Sequence, residues 1–130
     1  VGCVARDRAG NLAAATSTGG FTNKPPGRVS DSGVTGAGTW AQNGICAVSC
    51  TGTGDLFIRN ATARDIAALV EYRGLGLAEA CAEGLAKVAA ENGFGGVIAV
   101  DAQGRITIDR NADRMAWAWI RDGEEAVFGS

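Results

Sequence analysis

Apolar and polar positions divide the chain into strands at its two ends and helices in its middle. Residues 1–6 and 11–17 are β-prone runs separated by Asp-Arg-Ala-Gly. Gly10 can take the positive φ of a tight turn, so the two runs predict a hairpin. Both runs are apolar on both faces, which favours a central place in a sheet with a layer on each side. Residues 45–50 predict a further short buried strand.

Two helices are predicted after this strand. Asn60 is a favourable N-cap residue, and Ile66, Leu69 and Val70 follow it at helical spacing. The second helix carries its apolar stripe on Leu77, Ala80, Cys81, Gly84, Leu85 and Val88. Two consecutive amphipathic helices predict one helical layer that covers a sheet.

Strand patterns return in the last third of the chain. Residues 95–100 and 105–108 predict a second hairpin, and residues 114–120 and 125–128 predict two more strands. Strands followed by helices and then by strands indicate an α+β sandwich rather than alternating βαβ units. A length of 130 residues fits one domain, residues 1–130.

Composition excludes several classes of partner. The formal net charge is −2 with the two signs interspersed, so no basic surface for nucleic acid is expected. No apolar run approaches the roughly 18 residues of a membrane span, and the N-terminus lacks a signal-peptide pattern. The chain is therefore expected to be soluble, with no nucleic-acid or membrane partner. It lacks an initiating Met and begins like the interior of a strand, which predicts a processed or truncated start.

The four cysteines predict free thiols rather than disulfides. Cys46 and Cys50 lie on one face of the predicted strand, but roughly 13 Å apart. A disulfide needs a Cα separation below about 7 Å. Buried free thiols are typical of a reducing compartment, so the predicted location is cytoplasmic.

Histidine is absent from the chain. Its absence removes Ser/His/Asp and Cys/His catalysis, together with the usual zinc ligand sets. A nucleophile here would need a carboxylate, a lysine or a free α-amine as its base. The α-amine has an ordinary pKa of about 7.7 to 8.0, which already lies near working pH.

The long polar loop at residues 16–32 is the first candidate for binding chemistry. Arg28 can bind a carboxylate and Asp31 an amine, as an amino-acid ligand would require. The alternative for the same two residues is a solvated surface ion pair.

Two glycine-rich stretches are further candidates. Residues 36–41 match the dinucleotide pattern Gly-x-Gly-x-x-Gly/Ala, but they follow a loop and lead into a turn, whereas that motif joins a strand to a helix. The sequence therefore does not favour a nucleotide site. Residues 51–54, Thr-Gly-Thr-Gly, indicate either a tight strand-to-helix connection or backbone donors for an anion.

The motifs in their order resemble the β-subunit of plant-type L-asparaginases, also called isoaspartyl aminopeptidases, and more distantly aspartylglucosaminidases. The residues that carry the resemblance are 10–20, 22–24, 27–32, 36–38 and 50–55. It implies the four-layer αββα sandwich of the N-terminal nucleophile hydrolases, with this chain as the C-terminal (β) half of a precursor that cleaves itself. A catalytic threonine begins the β-subunit in that family, and it would directly precede Val1.

The resemblance also implies roles for individual residues. That threonine would supply its hydroxyl as nucleophile and its own α-amine as base. Thr18 would orient it, and Thr51 with Gly52 would bind the oxyanion. Arg28 would bind the α-carboxylate of the substrate and Asp31 its α-ammonium group. The implied substrate-binding set is Arg28, Val29, Ser30, Asp31, Thr51, Gly52, Thr53 and Gly54.

The predicted activity is hydrolysis of the side-chain amide of L-asparagine or of the isopeptide bond of β-aspartyl dipeptides. The implied partners are an α-subunit from the same precursor, in an (αβ)₂ assembly, and no cofactor or catalytic metal is implied. Ser30 and Gly33 stand where the family usually has Gly and Pro, which affects substrate preference most. Alternatives are an aspartylglucosaminidase-like hydrolase and a catalytically silent amino-acid-binding subunit that lacks the leading threonine.

Overall fold

The strands of the chain form three antiparallel sheets. The computed structural model describes all of residues 1–130. A hairpin is formed by β1 (Gly2–Arg6) and β2 (Leu12–Thr16). The central sheet has the order β3 (Thr39–Gln42), β4 (Cys46–Gly52), β5 (Gly95–Asp101) and β6 (Ile106–Arg110). A last two-stranded ribbon consists of β7 (Trp117–Trp119) and β8 (Val127–Gly129).

Three helices connect β4 to β5. They are α1 (Gly54–Asn60), α2 (Thr62–Arg73) and α3 (Leu77–Ala90). Helices α2 and α3 cover one face of the central sheet. Phe57 of α1, Ile66 of α2 and Val48 of β4 are fully buried in the core between the helices and this sheet. Gly84 permits close contact of the two helices, because a Cβ there would lie 2.7 Å from Cγ1 of Ile66. None of the helices is long and apolar enough to cross a membrane.

The hairpin β1–β2 covers part of the opposite face of the central sheet. Leu12, Ala47 and Val100 form a small buried cluster there, with Val4 and Ala14 packed against it. The outward side of the hairpin is exposed, and it carries Cys3, Ala5, Ala13 and Ala15. Within this chain, the predicted covering layer is therefore present on only one of the two faces of the hairpin.

Several predicted elements are confirmed with small shifts. The first hairpin, the strand at residues 45–50, the helix with its stripe from Leu77 to Val88 and the second hairpin are all present. The strands expected at 114–120 and 125–128 are shorter, because only Trp117–Trp119 pairs with Val127–Gly129. All four cysteines are free, as predicted, but only Cys46, Cys50 and Cys81 are buried, whereas Cys3 is exposed.

The prediction that Asn60 caps a helix is wrong. Asn60 ends α1, and its Nδ2 donates to the backbone oxygen of Leu56 at 3.0 Å and to Oε1 of Glu91 at 2.9 Å. The residue between the two helices is Ala61, which has φ 46° and ψ 47°. The chain bends there through a left-handed residue, so α1 and α2 are separate helices.

Ala61→Gly is expected to raise the free energy of unfolding by about 0.5 to 1 kcal/mol. The left-handed conformation costs an L-residue about 1 to 2 kcal/mol, and the greater freedom of glycine in the unfolded chain offsets part of the gain. Urea denaturation of the complete protein measures the change. Ala86→Gly, on the exposed side of α3, is the control, and it should lower the free energy of unfolding by about 1 kcal/mol. Equal losses in both variants would contradict the prediction.

Candidate active site

The polar loop and the end of β4 meet at a cavity of about 180 Å³. Six of the predicted site residues line it: Thr18, Arg28, Ser30, Asp31, Thr51 and Gly52. Val1 also lines the cavity, and its backbone nitrogen donates to the backbone oxygen of Ser17 at 2.8 Å. The first strand, the loop and the central sheet therefore contribute to one site, although they are distant in sequence.

The loop before Arg28 is held by short-range hydrogen bonds. The backbone N–H of Gly20 donates to Oγ1 of Thr18 at 2.9 Å, and Nζ of Lys24 donates to the backbone oxygen of Gly19. The N–H of Arg28 donates to the backbone oxygen of Pro25 at 3.2 Å. The Thr18 hydroxyl accepts one bond in this arrangement and keeps its own proton for a ligand or nucleophile.

Arg28 presents its guanidinium group without an anionic partner from the chain. The Cζ atom lies over the Phe21 ring, 4.5 Å from its centroid, so an aromatic side chain packs against the group. Its N–H groups make no salt bridge within the chain, unlike those of Arg64, which pairs with Glu71 at 3.0 Å. A planar fork with free donors is suited to bidentate binding of a carboxylate.

Asp31 is the buried acid of the site, with 4% of its surface exposed. Its Oδ2 atom is buried and has no hydrogen-bond partner. Burial raises the pKa of its carboxyl group above 3.8, while backbone N–H groups and Arg28 act in the opposite direction. An unpartnered buried carboxylate oxygen is suited to a cationic ligand, because pairing offsets the cost of desolvation.

Two glycines leave room for this carboxylate. A Cβ at Gly38 would lie 2.7 Å from the backbone oxygen of Asp31 and 2.8 Å from its Oδ2, and a Cβ at Gly54 would lie 2.9 Å from its Oδ1. Gly38 also donates its N–H to the backbone oxygen of Asp31 at 3.1 Å. The Gly-x-Gly motif at residues 36–38 leads into β3 rather than a helix. Its second glycine, Gly38, leaves the space that Asp31 occupies.

The end of β4 supplies the other wall of the cavity. Gly52 has φ 148°, and a Cβ there would lie 2.3 Å from the backbone oxygen of Phe94 and 2.6 Å from Cα of Gly95. Glycine is therefore required for the close approach of β4 and β5 next to Thr51. The Thr51 side chain is exposed and makes no hydrogen bond within the chain, which leaves its hydroxyl available to a ligand.

Three of the residues predicted to bind substrate lie outside the cavity lining. Val29 is 62% exposed. Thr53 uses its hydroxyl to donate to the oxygen of Phe94 at 3.3 Å and to accept from its N–H at 3.2 Å. Gly54 packs behind Asp31 and Arg28, with a Cβ position 3.2 Å from Nη2 of Arg28.

Hydroxyl groups that the sequence analysis missed connect the hairpin to the central sheet beside the cavity. Oγ1 of Thr16 lies 2.7 Å from Oγ of Ser49, accepts from Oγ1 of Thr39 and donates to the backbone oxygen of Gly38 at 3.2 Å. Thr39 and Ser49 are register partners in β3 and β4. The feature of the sequence that could have indicated this cluster is the presence of polar residues, opposite each other, in otherwise apolar strands.

The thiol at the cavity does not provide a reactive group. Cys50 lines the cavity but is only 3% exposed, and burial raises the pKa of its thiol well above the usual value. Burial also raises the pKa of Cys46 to about 11. Both thiols are therefore protonated near neutral pH, and a protonated thiol is a poor nucleophile.

The sequence profile described as asparaginase matches residues 1–129. The chain belongs to the asparaginase family. An isoaspartyl peptidase of Salmonella typhimurium is 55% identical over 130 residues, covering 99% of this chain and 42% of that protein. A plant-type L-asparaginase of Pyrobaculum calidifontis is 44% identical over 126 residues, covering 95% of this chain and 42% of that protein.

An isoaspartyl peptidase/L-asparaginase of Bos taurus is 42% identical over 125 residues, covering 95% of this chain and 40% of that protein. The chain thus spans about two fifths of the length of these relatives in the asparaginase family. The resemblance predicted from the motifs is confirmed at the level of the family, with a mixed α and β fold built on antiparallel sheets.

Proposed function

We propose that the chain is the β-subunit of an amidohydrolase that cleaves L-asparagine and β-aspartyl dipeptides through a threonine acyl-enzyme. The observation that supports this most is the cavity in which a free guanidinium group and an unpartnered buried carboxylate lie together beside Val1. An α-amino acid carries the two complementary charges. The names of the relatives give the same pair of activities.

Substrate binding in this proposal uses the two charges separately. The Arg28 fork binds the α-carboxylate, and Asp31 binds the α-ammonium group with its free Oδ2. Both groups are on the same carbon of the substrate. Binding both therefore fixes that carbon and the direction in which the side-chain amide extends from it. Ser30 and Ser32 complete the polar wall on that side of the cavity.

The reaction begins at the threonine that the family resemblance places directly before Val1. Its hydroxyl attacks the amide carbonyl, and its α-amine takes the hydroxyl proton and passes it to the leaving nitrogen. The Thr51 hydroxyl and the Gly52 N–H stabilise the oxyanion. Ammonia leaves from asparagine, or an amino acid leaves from a dipeptide. Water then cleaves the ester and releases aspartate, and Thr18 orients the nucleophile throughout.

The proposed assembly pairs residues 1–130, as one domain, with an α-subunit from the same precursor in an (αβ)₂ enzyme. Its support is the exposed outer side of the hairpin, where Cys3, Ala5, Ala13 and Ala15 form a small-residue apolar surface. Strands from the α-subunit would extend the hairpin into a full second sheet, and its helices would cover this surface and complete a four-layer αββα sandwich.

The direct test is an assay of the mature enzyme, produced from its complete precursor, with L-asparagine, a β-aspartyl dipeptide and glycosylated asparagine. We expect aspartate release from the first two. Turnover of glycosylated asparagine alone would indicate an aspartylglucosaminidase-like enzyme, and no turnover of any substrate would overturn the proposal. Intact mass checks the nucleophile, since one threonine residue adds about 101 Da and provides both catalytic groups.

Arg28→Lys is expected to raise KM for asparagine about tenfold with kcat changed by less than about threefold. Lysine keeps the charge but loses the bidentate geometry, and the lost contact is made equally in the ground and transition states. Steady-state kinetics measure the split. Arg73→Lys, on α2 and 57% exposed at its side chain, is the matched control. An unchanged KM in Arg28→Lys would remove Arg28 from the substrate site.

A further inference from the structure

Phe21 is the aromatic residue of the cavity, and no part of the proposed reaction uses it. Phe21 is 59% exposed and lies in a loop, where it lines the cavity beside Arg28. The distance from Cζ of Arg28 to the ring centroid is 4.5 Å, which is within the range of a cation–π contact. The ring therefore has a specific partner, although it is not part of the hydrophobic core.

The loop holds the ring in this place. Gly20, with φ 76°, turns the chain immediately before Phe21, and the N–H of Lys24 donates to the backbone oxygen of Phe21 at 3.3 Å. The bond from Nζ of Lys24 to the oxygen of Gly19 closes the same turn. Phe21 is thus presented by a small hydrogen-bonded turn and not by a free stretch of chain.

Stacking on the face of a guanidinium group leaves the edge donors free. Arg64 illustrates this elsewhere in the chain, since its Cζ lies 5.2 Å from the Trp40 ring while its Nη2 pairs with Glu71 at 3.0 Å. Arg28 has the same kind of aromatic contact and no carboxylate from the chain at its edge. Its edge is the position at which a carboxylate of a ligand would bind.

We propose that Phe21 is a positioning residue that fixes the plane of the Arg28 guanidinium group, so that its fork is aligned for the substrate α-carboxylate before binding. This inference rests on the proposed function. An arginine side chain has several rotatable bonds, and a contact that restricts them in the free enzyme reduces the entropy lost on binding. Phe21 then acts on affinity for the carboxylate through Arg28 and does not contact the reacting atoms.

The test compares Phe21→Leu with Phe21→Tyr in the mature enzyme. Leucine keeps an apolar side chain but removes the aromatic face, and tyrosine keeps the face. From the strength of exposed cation–π contacts, Phe21→Leu is expected to raise KM for asparagine about two- to fivefold with kcat unchanged. Phe21→Tyr should restore the wild-type KM. Phe128→Leu, at an aromatic residue of β8 that is 79% exposed, is the control and should change neither constant.

A double-mutant cycle with Arg28→Gln shows whether Phe21 acts through Arg28. Glutamine has no positive charge, so Phe21→Leu should have no further effect on KM in that background. The inference about Phe21 would be overturned by an equal rise in KM in both backgrounds, by a loss of kcat, or by a wild-type KM in Phe21→Leu. None of these outcomes affects the proposed function as long as the wild-type enzyme turns over its substrates. A wild-type enzyme that turns over no substrate would overturn both.

Discussion

Thr51→Val is expected to lower kcat for β-aspartyl dipeptides by about 10²- to 10³-fold, with KM changed by less than about threefold. Removal of one oxyanion donor has this effect in other hydrolases, because the bond forms fully only in the transition state. Valine has nearly the same shape as threonine. The Thr51 hydroxyl makes no bond within the chain and its side chain is exposed, so the substitution leaves the end of β4 in place.

Thr107→Val provides a matched control on β6 of the same sheet, outside the cavity. Its kcat should equal that of the wild-type enzyme. Single-turnover kinetics would separate acylation from ester hydrolysis, and both steps should slow in Thr51→Val because each passes through an oxyanion. A kcat for Thr51→Val within about threefold of wild type would exclude Thr51 from the oxyanion site.

The strands and helices with strong periodic patterns could be predicted from the sequence. Residues 46–50 of the predicted strand lie in β4 and are all buried, so their apolar run does mark a strand covered on both faces. All six residues of the stripe from Leu77 to Val88 are buried, which shows that this side of α3 faces the core. In both segments the local pattern and the tertiary environment agree.

The elements missed by sequence reasoning have no such pattern. Strand β3 (Thr39–Gln42) is four residues long and follows a glycine-rich turn, so it has too few positions to show a strand pattern. Helix α1 (Gly54–Asn60) begins one residue after β4 and ends just before Ala61, whose left-handed conformation is not expected of an alanine. Tertiary contacts stabilise both segments, since β3 pairs with β4 and Asn60 bonds to Glu91, the residue directly after α3.

The charged residues of the candidate site can be singled out from the sequence, whereas the residues that support them cannot. Arg28 and Asp31 are unusual residue types in a glycine-rich loop, and that composition was sufficient to single them out. The closeness of Gly38 to Asp31 and the ring of Phe21 over Arg28 depend on how distant segments meet. A surface ion pair was the alternative for these residues, and the burial of Asp31 at 4% exposure argues against it.

Asp31→Asn is expected to raise KM for asparagine by about 10²-fold or more and, in the same protein, to leave the unliganded enzyme as stable or more stable near neutral pH. Asparagine keeps the shape of the side chain but removes the charge that would pair with the substrate ammonium group. A buried contact to a charged group contributes about 1.5 to 3 kcal/mol, and an uncompensated buried charge costs more.

The direction of the stability change follows from the pKa. The carboxyl pKa of Asp31 is raised above 3.8 in the folded chain, chiefly by burial, so the folded state holds this proton at a pH at which the unfolded chain has lost it. The stabilising contribution of this group is fully present below the unfolded pKa and is lost as pH rises through the folded pKa. At neutral pH the charged carboxylate therefore opposes folding, and asparagine removes that cost.

The pH dependence of KM and the thermal midpoint of unfolding, measured on the same protein, test these expectations. The KM of the wild-type enzyme should rise as pH falls through the raised pKa of Asp31, since only the ionised carboxylate pairs with an ammonium group, and this dependence should be absent in Asp31→Asn. Asp113→Asn, at an exposed acid outside the cavity, should match wild type in both KM and thermal midpoint. A wild-type KM in Asp31→Asn would remove Asp31 from the site. A lowered thermal midpoint would show instead that the carboxylate holds the loop in place, because a group kept charged only for a ligand is a cost to the free enzyme.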